Sequence, residues 1–171
     1  MESLGSLLGR NLLRWVVPEN IHLTLKFLGD TPITKLDTLK EILTAELATF
    51  QPFEISIEKM GIFPNYSRPR VLWVGVEDNG TLSSLQRSVE RAASQIGSAP
   101  EKRRFSAHLT LGRVRQGLRS EAQNQIRQVV EEFSDIAFGS IHVDTIHIFQ
   151  SELKTKGAVY RSLYPINLEN K

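Results

Sequence analysis

Ile21-His22-Leu23-Thr24-Leu25-Lys26-Phe27-Leu28-Gly29 and Ala107-His108-Leu109-Thr110-Leu111-Gly112 share the tetrapeptide His-Leu-Thr-Leu, once in each half of the chain. Successive side chains of an extended strand alternate between faces. Each copy therefore sends its His and Thr to one face and its two Leu to the other. The leucine face belongs in a core, and the other offers an imidazole beside a hydroxyl. Two such strands brought together surround one cavity with two imidazoles and two hydroxyls. An ancient duplication about a shared axis would explain why each half carries one copy.

The segments around the two copies also run in a similar order. Arg14 to Val17 reads as a strand closed by the turn cluster Pro18-Glu19-Asn20, and Ser3 to Asn11 as a short helix. Ile21 to Leu28 alternates cleanly and reads as the strand of the first repeat. Leu36, Leu39, Leu43 and Leu47 recur at three- and four-residue spacing, which predicts an amphipathic helix over Pro32 to Phe50. Phe53 to Ile62 is a strand whose natural partner is Val71 to Val76, with Phe63 to Arg70 as the connecting loop. Thr81 to Ile96 is a second amphipathic helix, stopped by Gly97 to Pro100. Phe105 to Val114 is the strand of the second repeat, Ser120 to Phe133 a further helix, and Ile141 to Phe149 and Ala158 to Leu168 closing strands. No linker divides the halves. The expectation is one α+β domain over residues 1–171, two-lobed and pseudo-symmetric, with antiparallel sheets and outer helices around a central cleft.

Opening a cyclic phosphodiester with water needs a base for the water, an acid for the departing oxygen and donors for the non-bridging oxygens. Histidine, with an unperturbed pKa of about 6.5, serves as either acid or base near neutrality. His22 and His108 in opposite protonation states would supply both roles. Thr24 and Thr110, two residues on, share the imidazole faces and can donate to phosphate oxygens. This chemistry requires no metal and no cofactor. A single strand histidine is most often a surface or satisfied core residue; the repetition singles out these two. His142 and His147 lie five apart, would face opposite ways on one strand, and read as structural. Metalloprotease, P-loop and nucleophile-elbow motifs are absent.

Composition is consistent with a folded, soluble chain. Of 171 residues, 40% are apolar and 23% charged, and the formal net charge is +2. The arginines are uneven: Arg103, Arg104, Arg113, Arg115 and Arg119 crowd the second repeat, and Arg68 and Arg70 form a smaller group. A local basic mouth on a near-neutral body suits a phosphate-bearing substrate better than long-range duplex binding. There is no cysteine, which excludes thiolate nucleophiles and cysteine-based metal sites. No apolar run approaches membrane-spanning length, and the first ten residues do not resemble an export signal. The expected compartment is the cytoplasm.

The stretch Arg14-Trp15-Val16-Val17-Pro18-Glu19-Asn20-Ile21-His22-Leu23-Thr24-Leu25-Lys26-Phe27-Leu28-Gly29 resembles the first signature of the two-histidine phosphoesterases, in particular the bacterial and archaeal RNA 2′,3′-cyclic phosphodiesterases, also called 2′-5′ RNA ligases. Gly61 to Pro64 with Arg68 to Trp73, then His108 to Arg113, then Ser151 to Leu153 with Gly157 to Tyr160, follow in the family's order. The resemblance runs from Arg14 to the C-terminus. It implies hydrolysis of a 2′,3′-cyclic phosphate on RNA, or on a small cyclic nucleotide, to a 2′-phosphate. His22 would be the proton donor to the 3′ oxygen, His108 the acceptor from water, and Thr24 and Thr110 the phosphate ligands. Joining of RNA ends through a 2′-5′ linkage is the alternative activity. An RNA-end-binding module that has lost turnover is a third reading.

Two departures stand out. Only thirteen residues precede Arg14, too few for the opening strand and full helix usual in this family. The expectation is a missing or shortened first strand, with the exposed sheet edge covered by another segment or by self-association. Ala107 stands where proline is common. In the loop, Tyr66, with Phe63, is a candidate to stack on a base, and Arg68 and Arg70 to pair with a neighbouring phosphate. Arg113 would point with the leucines in a regular strand.

Overall fold

Leucine periodicity and strand alternation translate into local structure almost segment by segment. The computed structural model describes residues 2–77, 79–154 and 157–168. The order is α1 (Glu2–Leu12), β1 (Leu13–Trp15), α2 (Leu36–Leu47), β2 (Phe53–Phe63), β3 (Val71–Glu77), α3 (Thr81–Gln95), β4 (His108–Val114), α4 (Ser120–Glu132), β5 (Ala137–Val143), β6 (Thr145–Lys154) and β7 (Gly157–Asn167). The fold is α+β. Five strands form one sheet in the order β1-β4-β3-β2-β5, and β6 pairs with β7. The β1–β4, β4–β3, β3–β2 and β6–β7 pairs are antiparallel.

The chain divides into two compact units, each drawn from three stretches. The first runs to Leu23 and includes Ser56–Glu77 and Ala107–Gly139. One face of its sheet is apolar: Met60, Ile62, Leu72, Val74, Val76, Leu111 and Val114 are buried. They share the core with Leu4, Leu8 and Leu12 of α1 and with Ile126, Val129 and Val130 of α4. Helix α1 packs on α4 and β1, and the chain leaves helical geometry at Gly9, where φ is 62°.

The second unit opens at Thr24. Its core joins the leucine stripe of α2 to Leu82, Leu85, Val89, Ala92 and Ala93 of α3 and to Ile148 and Ile166 of the β6–β7 hairpin. The Tyr164 hydroxyl on β7 donates to Asp37 on α2 at 2.6 Å. Among the described residues no helix is long and apolar enough to cross a membrane.

Two expectations from local pattern require correction. The first repeat is not a strand over Ile21 to Leu28; it makes one isolated bridge, Leu23 to Leu109. The edge of β4 is already occupied by β1, and the Val16 N–H still bonds the Leu111 carbonyl at 2.9 Å. A 3₁₀ turn at Pro18–Asn20 then lifts the chain away before it returns at Leu23. The second correction lies at Asp144, which separates β5 from β6. The apolar residues are odd-numbered at Ile141 and Val143 and even-numbered at Ile146 and Ile148, so the alternation changes phase there, and the two strands serve different sheets.

Candidate active site

Strand β3 alternates without interruption, with Leu72, Val74 and Val76 buried and Val71, Trp73 and Gly75 on the opposite face. Its register with β4 therefore reads out the direction of each β4 side chain, because directly opposed residues share a face. Gly75 opposes His108, Trp73 opposes Thr110, Leu72 opposes Gly112 and Val71 opposes Arg113. Between Leu72 and Trp73 the register shifts, so β4 spends the extra residue Leu111 as a bulge. One extra residue reverses the alternation beyond it. Arg113 is thereby carried to the face of His108 and Thr110, not to that of the leucines as a regular strand would require.

Glycines shape the floor of this face. Gly61 on β2 opposes Trp73, and a Cβ there would overlap the six-membered ring of the indole. Gly75 opposes His108, and a Cβ there would lie 2.8 Å from the Glu58 carbonyl oxygen. The His108 ring stands edge-on to Phe63, with centroids 5.0 Å apart and an 83° interplanar angle, and lies 6.4 Å from the Trp73 ring. Such edge-to-face packing holds a ring orientation without using its nitrogens. Ala107, where proline was expected, is held by its carbonyl, which accepts the Val76 N–H at 3.1 Å.

The Leu23–Leu109 bridge sets the first motif antiparallel to the second. His22 and His108 are each the residue just before a bridged leucine. Both histidines and Thr110 are half-buried. The Nδ1 of His22 lies 2.8 Å from the Asn20 carbonyl oxygen. A carbonyl only accepts, so Nδ1 carries the proton in this contact.

Thr24, also half-buried, is the first residue of the second unit. Two residues further, the Lys26 ammonium donates to Glu90 at 2.7 Å and to the Ala99 carbonyl at 2.6 Å. The Glu90 carboxyl is pushed up by burial, but the Lys26 hydrogen bond, the Glu101 N–H and the Lys26 charge bring it below the usual carboxylate range.

The other candidate residues divide. Tyr66 is exposed, and the Arg127 guanidinium sits 5.6 Å from its ring centroid. Phe63 packs on Trp73 and His108. Arg68 and Arg70 line a cleft with Arg115. His142 and His147 fall on separate strands: His142 pairs with Glu54 at 2.8 Å, and His147 meets Ser162 at 2.9 Å. Arg14, which motif reading did not single out as a site residue, directly opposes Arg113 across the β1–β4 pair. The signal for it lies in the register.

Comparison with known proteins agrees with this fold and motif pair. Residues 10–155 match the 2′-5′ RNA ligase superfamily. The chain is 39% identical over 160 residues to an RNA 2′,3′-cyclic phosphodiesterase of Archaeoglobus fulgidus, covering 94% of this chain and 86% of that one. It is 38% identical over 151 residues to the Methanothermobacter thermautotrophicus protein of the same name, covering 88% and 80%. Among solved structures it is similar in fold to TT0787 of Thermus thermophilus, with a TM-score of 0.79, 24% identity, and coverage of 98% and 88%. It is likewise similar to Escherichia coli LigT complexed with 3′-AMP, with a TM-score of 0.77, 22% identity, and coverage of 99% and 88%. An α+β chain with a His-x-Thr motif in each half falls in the class of two-histidine phosphoesterases. Within that class this chain belongs to the 2′-5′ RNA ligase superfamily.

Proposed function

We propose that the protein hydrolyses 2′,3′-cyclic phosphates on RNA or nucleotides to 2′-phosphomonoesters by acid–base catalysis between His22 and His108. The observation that carries this reading is the Leu23–Leu109 pairing, which sets one His-x-Thr motif against the other. His108 takes a proton from water as its oxygen attacks phosphorus. The bond from phosphorus to the 3′ oxygen breaks, and His22 delivers the proton from Nε2 to that oxygen. Water has then added across the ring, and the phosphate remains on the 2′ oxygen. Thr110 and Thr24 donate to the non-bridging oxygens, where charge develops. The assignment of acid to His22 and base to His108 follows the family resemblance.

The test is product analysis with a 2′,3′-cyclic nucleotide, resolving 2′- from 3′-phosphate. His22→Ala and His108→Ala should each lower turnover by about 10²–10⁴-fold, the usual contribution of a positioned acid or base, with the folded state retained by circular dichroism. Activity surviving in both variants rejects the mechanism. A chelator should leave the rate unchanged.

The superfamily's description favours a second activity at the same residues, joining of RNA ends through a 2′-5′ linkage. Parallel assays with 2′,3′-cyclic ends and 2′-5′-linked oligonucleotides separate the two. An RNA substrate makes the cytoplasm the expected setting. Self-association along β1, at the sheet edge, is part of the same proposal and is checked by the mass in solution.

A further inference from the structure

The loop between β2 and β3 and the chain after β4 meet in a cleft lined by Arg68, Arg70, Arg115, Ser67, Gln116 and Gln123. The contact is made by the backbone: the Val114 N–H bonds the Arg70 carbonyl at 2.9 Å. It joins the two separate arginine groups of the sequence. Among the described residues no carboxylate lies within 4.0 Å of Arg68, Arg70 or Arg115. The Arg115 Nε donates at 3.2 Å to the Arg10 carbonyl, which carries no net charge to offset it. Three exposed guanidinium groups around one polar cleft offer it a set of charged donors that suits an anion.

The cleft lies on the same strand as the candidate site, at its other end. From His108 to Val114, β4 spans roughly 20 Å at about 3.3 Å per residue. On the same face lie Arg113 and, opposite it on β1, Arg14. A second link runs through the loop: the Arg70 N–H bonds the Phe63 carbonyl at 2.9 Å, and the Phe63 ring touches His108. We propose that this cleft binds the backbone phosphates of an RNA strand several nucleotides upstream of the reacting end, so that the protein selects oligonucleotide ends over cyclic mononucleotides. The inference rests on the hydrolase reading above and deepens it. A mononucleotide has no phosphate to reach the cleft; a strand with its end between the histidines does. Backbone phosphates are the match because guanidinium forks pair bidentately with them and read no sequence.

The experiment compares a 2′,3′-cyclic mononucleotide with a single-stranded RNA oligonucleotide bearing the same cyclic end, using wild type and Arg68→Ser/Arg70→Ser/Arg115→Ser. The wild type should show the higher kcat/KM on the oligonucleotide. The triple variant should lose that preference, by 10-fold or more in the ratio of the two values. Its log–log salt dependence on the oligonucleotide should flatten by about 2, at roughly 0.7 per lost phosphate contact. Anisotropy with an oligonucleotide ending in a 2′-phosphate reads the same loss without turnover. Equal losses on both substrates, or an unchanged ratio and salt slope, overturn the inference while the hydrolase reading stands. A wild type inactive on both substrates overturns the hydrolase reading and this inference with it.

Discussion

Arg113 lies on the face of the candidate site at a cost to the sheet. It stands directly opposite Arg14, and like charges in that position destabilise an antiparallel pair. Both side chains are exposed, on the face that carries His108 and Thr110. Arg113→Ala should therefore leave the melting temperature unchanged or raise stability by up to about 1 kcal/mol. The same substitution should lower kcat/KM by roughly 10-fold or more, the worth of one charge-assisted hydrogen bond to phosphate. Thermal unfolding and initial rates on one preparation check both halves. A drop in stability of the size seen for a core residue would show that Arg113 serves packing instead. His22 makes the complementary point, since one carbonyl at Asn20 fixes a proton on its Nδ1.

At the scale of elements, two cross-strand glycine positions decide where the aromatic rings lie. Gly61 lets the Trp73 indole lie over β2, and Gly75, opposite His108, lets the Glu58 carbonyl and the edge of that indole come close. Gly61→Ala inserts a methyl into the volume of the indole, an overpacking that costs typically about 1–3 kcal/mol. The displaced indole lies 6.4 Å from the His108 ring, so activity should fall along with the denaturation midpoint. Trp73→Phe in the same background should recover part of the stability by vacating that volume. The recovery is helped because the buried Trp73 Nε1 has no hydrogen-bond partner among the described residues. Failure of the second substitution to recover any stability would place the strain elsewhere. Such glycines look like ordinary strand residues until the strands are paired.

For the molecule as a whole, the internal ion pair of the second unit sets an acid limit on stability. The Lys26 side chain is 5% exposed and that of Glu90 25%. Burial raises the Glu90 carboxyl, but the Lys26 and Glu101 contacts outweigh it and leave the carboxyl lower than usual. A carboxylate depressed in the folded state stabilises above its unfolded pKa, and that stability is lost as pH falls through the folded value. Lys26→Met removes the chief opposing partner. Breaking a fully buried pair costs about 3–5 kcal/mol, and with Glu90 partly exposed roughly 2 kcal/mol is expected at pH 7. The gap between wild type and variant should close as pH falls below the ordinary carboxylate range. Urea unfolding at pH 7 and in acid measures it; a gap independent of pH would remove Glu90 from the account.

The sequence by itself determined whatever is set by near neighbours along the chain. The leucine spacing specifies α2, and alternation specifies β2 and β3, because helix and strand periods are local properties of the backbone. The two His-x-Thr strings are legible for the same reason. Tertiary structure decided what depends on which strand lies alongside. β4 can accept only one neighbour on its outer edge, so β1 reduces the first repeat to a single bridge. One residue of bulge at Leu111 turned Arg113 from the leucine face to that of the histidines. Asp144 divides the expected strand over Ile141 to Phe149 because its two flanks belong to different sheets. A strand's faces reverse with a shift of one residue, and that shift is made by a partner distant in sequence. The arginine cleft likewise exists only where residues 67–70 and 114–118 are brought together by the pairing of β3 with β4.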